Sequence, residues 1–431
     1  MKKYETYKYS DIEWIGQIPE DWSVVPLKYN LSLKGRIGWN GLKSEEFQEK
    51  SYAYLVTGQD FNSDVVNWEK CYQINKERYE EDPFIQLENG DLLVTKDGTI
   101  GKVAKVVNLD KPACLNSGIF VVKQTKGVFE QNYLYWVLVS NQLKEFVGFN
   151  STGSTIAHLY QNVFENMPLT VPSLTEQKAI ASYLDYKVGQ IDASISAINT
   201  QIDDLKSYRQ SITCEAVTKG LNSDVPMKDS GVEWIGRIPE EWEILKEKYI
   251  FENLDYLREP ISSESRKRNN PIYDYFGASG VIDKIDHYNV EGKVLLIGED
   301  GANLVMRNLP LIYKAAGRFW VNNHAHILKP KVGVDYDYMY YTMEAADYMP
   351  FITGAAQPKL SQENLNRVSY PVPPFSEQKS IASYLDIKTS KIDAAITSLE
   401  QQRKDLNSLK QSIISEAVTG KIDVRDWKPN K

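Results

Sequence analysis

Between Glu176 and Thr218 the chain carries no proline, and its apolar residues recur at every seventh position: Leu184, Ile191, Ile198, Leu205 and Ile212. A second row, Val188, Ile195 and Ile202, lies three or four positions away. This spacing keeps both rows on one face of an α-helix and predicts a coiled-coil seam. A later stretch repeats the pattern with Leu385, Ile392, Leu399, Leu406 and Ile413, and with Ile396 beside them. The openers "TEQ" and "SEQ" place Thr175 and Ser376 as N-caps, with Glu176 and Glu377 in the first turn, where the helix dipole favours a carboxylate. Gly220 and Gly420 predict the two stops. At about 1.5 Å per residue, roughly 43 residues make a helix of about 65 Å. A single apolar seam needs a partner. Core helices of separate domains would not need five heptads in both copies. The two stretches are therefore expected to pair antiparallel, as a rod with a globular half at each end.

The rest of the chain is duplicated too. "EWIGQIPEDW" from Glu13 returns as "EWIGRIPEEW" from Glu233, with eight of ten positions identical. "VPSLTEQKAIASYLDYKVGQIDASI" from Val171 returns as "VPPFSEQKSIASYLDIKTSKIDAAI" from Val372. Box, variable region and helix thus occur twice. The expected organisation is a first globular domain over 1–170, a long helix over 171–220, a second globular domain over 221–371, and a second helix with its tail over 372–431. The variable regions align only weakly, as in "TGSTIAHLYQ" from Thr152 against "TGAAQPKLSQ" from Thr353. If the helices pair antiparallel, the first box should lie against the end of the second helix.

Composition narrows the class. At 431 residues, 42% hydrophobic and 25% charged, the chain is globular and long enough for two to four domains. Cys71, Cys114 and Cys214 show no metal spacing, which suits a reducing compartment; with no apolar stretch after the first lysines, a cytoplasmic protein is expected. The longest apolar run, "YLYWVLV" from Tyr133, is too short to span a bilayer. A net charge of −8 argues against a non-specific nucleic-acid coat, though a local basic stripe acts within about 8–10 Å. The 27 tyrosines fit β-rich cores.

Catalytic motifs are missing: no HExxH, GxxxxGK[ST], GxSxG, CxxC or Asn-Pro-Pro-aromatic sequence occurs. His158, His287, His324 and His326 lack ligand spacing, so no metal site is expected. "YFGASG" from Tyr275 has the glycines of a nucleotide loop but not its strand-to-helix context, so no cofactor site is expected. Binding chemistry is better represented. "TKDGTIGK", Thr95 to Lys102, is a glycine-punctuated turn carrying Lys96, Thr99 and Lys102. "SRKRNNPIYDY" sets Arg266, Lys267 and Arg268 before Asn269, Asn270 and Tyr275. Ser154, Thr155 and His158 in one half, and Gln357 and Lys359 in the other, sit in matching segments before each long helix. Such side chains read base edges and phosphates, although any one basic loop is more often merely solvated.

The two boxes, the paired "VPSLTEQKAIASYLD" and "VPPFSEQKSIASYLD" segments and the heptad helices between divergent regions resemble, over the full chain, the specificity subunit of a type I restriction–modification system. That resemblance implies an α+β fold: two mixed, β-rich target-recognition domains joined by two long antiparallel coiled-coil helices, with pseudo-twofold symmetry. It implies a non-enzymatic subunit in which each domain reads one half of an interrupted asymmetric double-stranded DNA target. The helices would set the spacer and dock two methyltransferase subunits, which motor-nuclease subunits join. S-adenosylmethionine, ATP and Mg²⁺ would belong to those partners. A self-contained restriction enzyme is disfavoured by the missing motifs; a coiled-coil scaffold that binds only proteins is a third reading, which exchange of the first variable region would test.

Overall fold

The computed structural model describes residues 2–36, 42–62, 64–150, 158–266 and 271–429. Two compact units divide the chain: residues 1–198 with 401–431, and residues 199–400. Four helices matter here: α1 (Gln131–Val139), α2 (Leu174–Lys219), α3 (Tyr336–Ala345) and α4 (Phe375–Val418). Each unit takes half of α2 and half of α4. Among the described residues no helix is long and apolar enough to cross a membrane.

Both units are built on a six-stranded sheet. In the first, the strands lie in the order Leu31–Lys34, Ile119–Gln124, Leu92–Thr95, Val103–Lys105, Val65–Val66, Phe61–Asn62. In the second, the order is Phe251–Asn253, Ala325–Pro330, Val290–Gly298, Ile312–Val321, Tyr273–Gly277, Gly280–Ile285. Neighbours are antiparallel, except that Lys105 pairs in parallel with Val65, and Tyr275 with Trp320. The period-2 alternation of a strand separates two cores. Leu92, Val94, Phe120 and Val122 pack on the helix side, while Leu93, Ile119 and Val121 pack on the other. In the second unit Leu295, Ile297 and Leu328 face the helices, and Val294, Leu296 and Ile327 turn away. With both faces covered, these strands read as continuous apolar runs, and that hides their alternation in the sequence.

The seam residues are most deeply buried where the helices enter the cores. Leu184 and Leu385 are fully buried, Ile191, Ile198, Ile212, Ile392 and Ile413 nearly so, and Leu205, Leu399 and Leu406 are half-buried. Within each unit the two helix segments run antiparallel. Lys410 Nζ meets Asp192 Oδ1 at 2.7 Å in the first unit, and Arg209 Nε meets Asp393 Oδ1 at 2.9 Å in the second. The starts differ from expectation by two residues. Both helices begin before Thr175 and Ser376; Ser173 Oγ accepts the Glu176 N–H at 3.3 Å, and the Pro374 carbonyl accepts the Glu377 and Gln378 N–H groups. Gly220 and Gly420 stop the helices in the left-handed region, at φ +76° and +69°. At Gly420 the Lys421 N–H also reaches back to the Glu416 carbonyl at 2.8 Å, a Schellman closure.

Each box supplies the second strand of a hairpin. Tyr7–Tyr9 pairs with Gln17–Pro19, and Met227–Asp229 with Arg237–Pro239. Gly16 and Gly236 turn the chain at φ +69° and +68°. Trp22 and Trp242 are buried, and Trp14 and Trp234 partly so. The first box lies against the end of α4, where Lys421 Nζ donates to the carbonyls of Ile15 (3.1 Å) and Gln17 (3.0 Å). In the second unit Trp242 lies beside Gly220 at the end of α2 and donates to Glu377 at 3.0 Å.

The repeated "EQK" has a structural reason. Gln177 is buried, accepts the Glu130 N–H at 2.7 Å and donates to the carbonyls of Val128 and Pro172. Gln378 accepts from Asp335 at 2.7 Å and donates to Gly333 and Pro373. Each glutamine thus ties the start of a long helix to the start of α1 or α3. One position breaks the correspondence. The Leu27 N–H bonds the Met167 carbonyl at 2.9 Å; its counterpart Glu247 bonds Val368 at 2.8 Å. Glu247 is 1% exposed and neither carboxylate oxygen has a hydrogen-bond partner among the described residues. Burial, reinforced by Asp255 and opposed by His326 and Lys331, pushes its carboxyl up to about 7.

Candidate nucleic-acid interface

The turn from Thr95 to Lys102 joins two antiparallel strands of the first sheet. Glycine supplies its positive φ twice, at Gly98 (+67°) and Gly101 (+81°). Thr95 Oγ1 braces the turn from within, donating to the Thr99 carbonyl at 2.5 Å and accepting the Lys102 N–H at 3.0 Å. Asp97, Gly98, Thr99 and Lys102 are left exposed. They border a cleft of about 580 Å³ that also takes in Gln59, Tyr72 and Asn116. Lys96 points elsewhere: its ammonium stands 4.8 Å over the Phe120 ring, and burial lowers its pKa against the pull of Asp97.

The second unit repeats the backbone wiring. The Lys96 N–H bonds Gly118 and the Leu159 N–H bonds Lys96; likewise the Glu299 N–H bonds His324 and the Leu360 N–H bonds Glu299. Asp97 bridges His158 in the first unit, as Asp300 bridges Lys359 in the second. The frame is shared and its side chains differ. Lys96 is replaced by Glu299, Gly118 by His324 and His158 by Lys359.

Electrostatics fix the second frame. Lys359 Nζ pairs with Glu299 at 3.0 Å, Glu299 also pairs with Arg258, and Arg258 reaches Asp255 at 3.3 Å. Asp255 accepts from the buried His326 Nδ1 at 2.6 Å, while Nε2 of the same ring faces the Leu360 carbonyl at 2.8 Å. Burial opposes the charge on Asp255 and Glu299, but these partners outweigh it and hold both carboxyls below their usual range. Lys359 is thus presented on an anchored loop, with Gln357 exposed beside it.

The remaining candidates scatter. His158 is paired with Asp97. Arg266 pairs with Asp283 at 3.0 Å and lies 4.4 Å over the Tyr275 ring. Tyr275, expected to face DNA, is instead buried at 1% exposure, with its hydroxyl accepting the Ile261 N–H at 3.1 Å. It sits on the inward side of a strand, where a large aromatic ring fills core volume. Ser154, Thr155, Lys267, Arg268, Asn269 and Asn270 lie outside the described residues. Asp97, Asp300 and His324 were not picked out in the sequence, because their pairings join residues far apart in the chain.

Residues 19–204 and 239–407 match the family described as the type I restriction modification DNA specificity domain. The chain belongs to that family. It is similar to the type I restriction enzyme MjaVIII specificity subunit of Methanocaldococcus jannaschii, 26% identical over 99% of this chain and 98% of the relative. It is also similar to the StySPI specificity subunit of Salmonella potsdam, 19% identical over 96% and 91%. A solved chain from a study of type I R-M complex assembly and conformational transition shares the fold at a TM-score of 0.69, with 14% identity over 94% of this chain and 99% of that one. This specificity subunit therefore carries its family's domain twice, with mixed sheets and two long helices.

Proposed function

We propose that the two recognition domains of this specificity subunit each read one half of a bipartite, asymmetric double-stranded DNA target. The observation that carries the reading is the shared frame at Asp97 and Asp300, furnished with His158 in one unit and Lys359 in the other. A common frame with different side chains offers two similar approaches to DNA and two different half-sites. The long helices set the distance between half-sites and dock two methyltransferase subunits, with motor-nuclease subunits joining to cut. Methyl transfer with S-adenosylmethionine, and ATP- and Mg²⁺-dependent steps, fall to those cytoplasmic partners, and this chain is not itself an enzyme. An acidic subunit can serve because partner subunits supply further phosphate contacts.

Genome-wide methylation sequencing tests this. Cells carrying the chain should show one interrupted methylated motif that vanishes when its gene is deleted. Exchanging residues 23–170 for a relative's should change one half of the motif only. A motif unchanged by deletion would refute the reading.

A further inference from the structure

We propose that Asp97 and Asp300 are the specificity-determining acceptors of the two half-sites, each taking a hydrogen bond from an exocyclic base amine, cytosine N4 or adenine N6. This rests on the reading above and assigns it to particular atoms.

The argument begins with charge. A ligand whose backbone is a polyanion repels a carboxylate from its phosphates, so an acid at the mouth of such a cleft must face something else. An ionised carboxylate is acceptor-only, and the donors that DNA offers in its major groove are the amino groups of cytosine and adenine. Asp97 stands exposed at the tip of a glycine-hinged turn, at the edge of the cleft.

Orientation comes next. Asp97 Oδ1 is held by His158 Nδ1, and Oδ2 has no hydrogen-bond partner among the described residues. The imidazole fixes the carboxylate plane and leaves one oxygen free to accept. Asp300 is held the same way, with Oδ2 on His324 Nδ1 at 2.7 Å and Oδ1 without a partner among the described residues. The two histidines are not counterparts. His158 lies across the bridge from Asp97, where the second unit has Lys359; His324 stands where the first unit has Gly118. The carboxylate and an imidazole on one of its oxygens occur in both units, yet the imidazole comes from a different connecting segment in each. An aspartate needed only to close the turn would not require that second element twice.

The surroundings then differentiate the half-sites. Asp97 is flanked by Thr99, Gln59 and Asn116 at its cleft, whereas Asp300 has Glu299, Lys359 and Gln357 nearby in its frame. The shared acceptor reads an amine in each half, and these neighbours set the adjoining base pairs.

The test uses the assembled complex with its methyltransferase subunits and duplexes in which every base pair of the methylated motif is changed in turn. Wild type should discriminate against each wrong pair by roughly 5- to 150-fold. Asp97→Asn keeps one acceptor oxygen, which His158 Nδ1 engages, and turns a donor NH2 to the base in place of the free carboxylate oxygen. It should collapse discrimination to within about threefold at one C·G or A·T pair of one half-site, with every other position kept. Asp300→Asn should do the same in the other half-site, and His158→Gln should weaken discrimination at the Asp97 position by a smaller factor. A full wild-type pattern in Asp97→Asn overturns the proposal, and so does an even loss at all positions, which marks a merely structural turn. A wild-type complex that binds all the duplexes alike refutes the specificity reading itself, and is told apart by its appearance before any substitution is made.

Discussion

Lys410 holds Asp192 through both carboxylate oxygens, at 2.7 and 2.8 Å, and this pair has a counterpart in Arg209 with Asp393. Moving 201 positions along the sequence turns Asp192 into Asp393 and Arg209 into the lysine at 410. The two helices therefore meet in the same register within both units, with donor and acceptor exchanged between them.

That pair specifies register more than it stabilises. All four side chains are at least partly exposed, and such pairs contribute about 0–1 kcal/mol. Lys410→Ala should lower stability by less than about 1 kcal/mol in denaturant unfolding. Leu184→Ala, which empties a fully buried seam position, should cost about 2–5 kcal/mol.

The two helix stops should respond unequally to the same change. An alanine at either glycine must hold a positive φ, costing about 1 kcal/mol. At Gly220 the added Cβ would meet Glu377 Oε1 at 3.0 Å and the Trp242 ring at 3.2 Å, contacts relieved by shifts of a few tenths of an ångström. At Gly420 it would stand 2.3 Å from Pro19 Cδ, a rigid ring. Gly420→Ala should therefore lose about 1–3 kcal/mol more than Gly220→Ala, read as a difference in unfolding midpoints.

Glu247 makes the second unit pH-sensitive. Its folded pKa lies near 7, above the unfolded 4.5, so its buried neutral form is tolerated at low pH and must ionise as pH rises. The sign follows: this group's penalty is absent below about pH 4.5, grows through the interval and is complete above about pH 7, at roughly 3 kcal/mol. Glu247→Leu, the residue at the counterpart Leu27, should raise stability at pH 8 and leave it nearly unchanged at pH 4. Hydrogen exchange of the second unit across that range checks it. Equal gains at both pH values would show that the carboxyl does not titrate there.

Lys102 is exposed at the edge of the first cleft. If it contacts a phosphate, Lys102→Ala in the assembled complex should weaken binding to all sequences alike. The slope of log K against log salt should become shallower by about 0.9. A change in sequence preference instead would place Lys102 at a base edge.

Much of the scaffold is legible in the sequence because it was written twice. The heptads around Leu184 and Leu385 and the two boxes are long-period signals that need no tertiary information. The strands are harder, since Ile119–Gln124 and Val290–Gly298 are covered on both faces and lose their alternation. Gln177 and Gln378 look like ordinary helix-surface residues until their backbone partners, 43 to 49 positions away, are known. At the site, "TKDGTIGK" announces a turn by its glycines. The eye goes to its lysines, although Lys96 is drawn inwards and Asp97 outwards. Tyr275 errs the other way, because a tyrosine beside basic residues suits a binding surface and a core equally well.

The box that lies against the end of α4 has a consequence for how the polypeptide is threaded. The Asp423 N–H donates to the Lys2 carbonyl at 2.9 Å, so the two extremities of the described chain are already side by side in one unit. Residues 221–224, between α2 and the second box, are exposed. A circular permutant opened between Asn222 and Ser223, with a short linker from residue 429 to residue 2, should fold to the same structure. The order in which the gene lists its two halves is then a matter of where the loop was cut, and either half could be translated first.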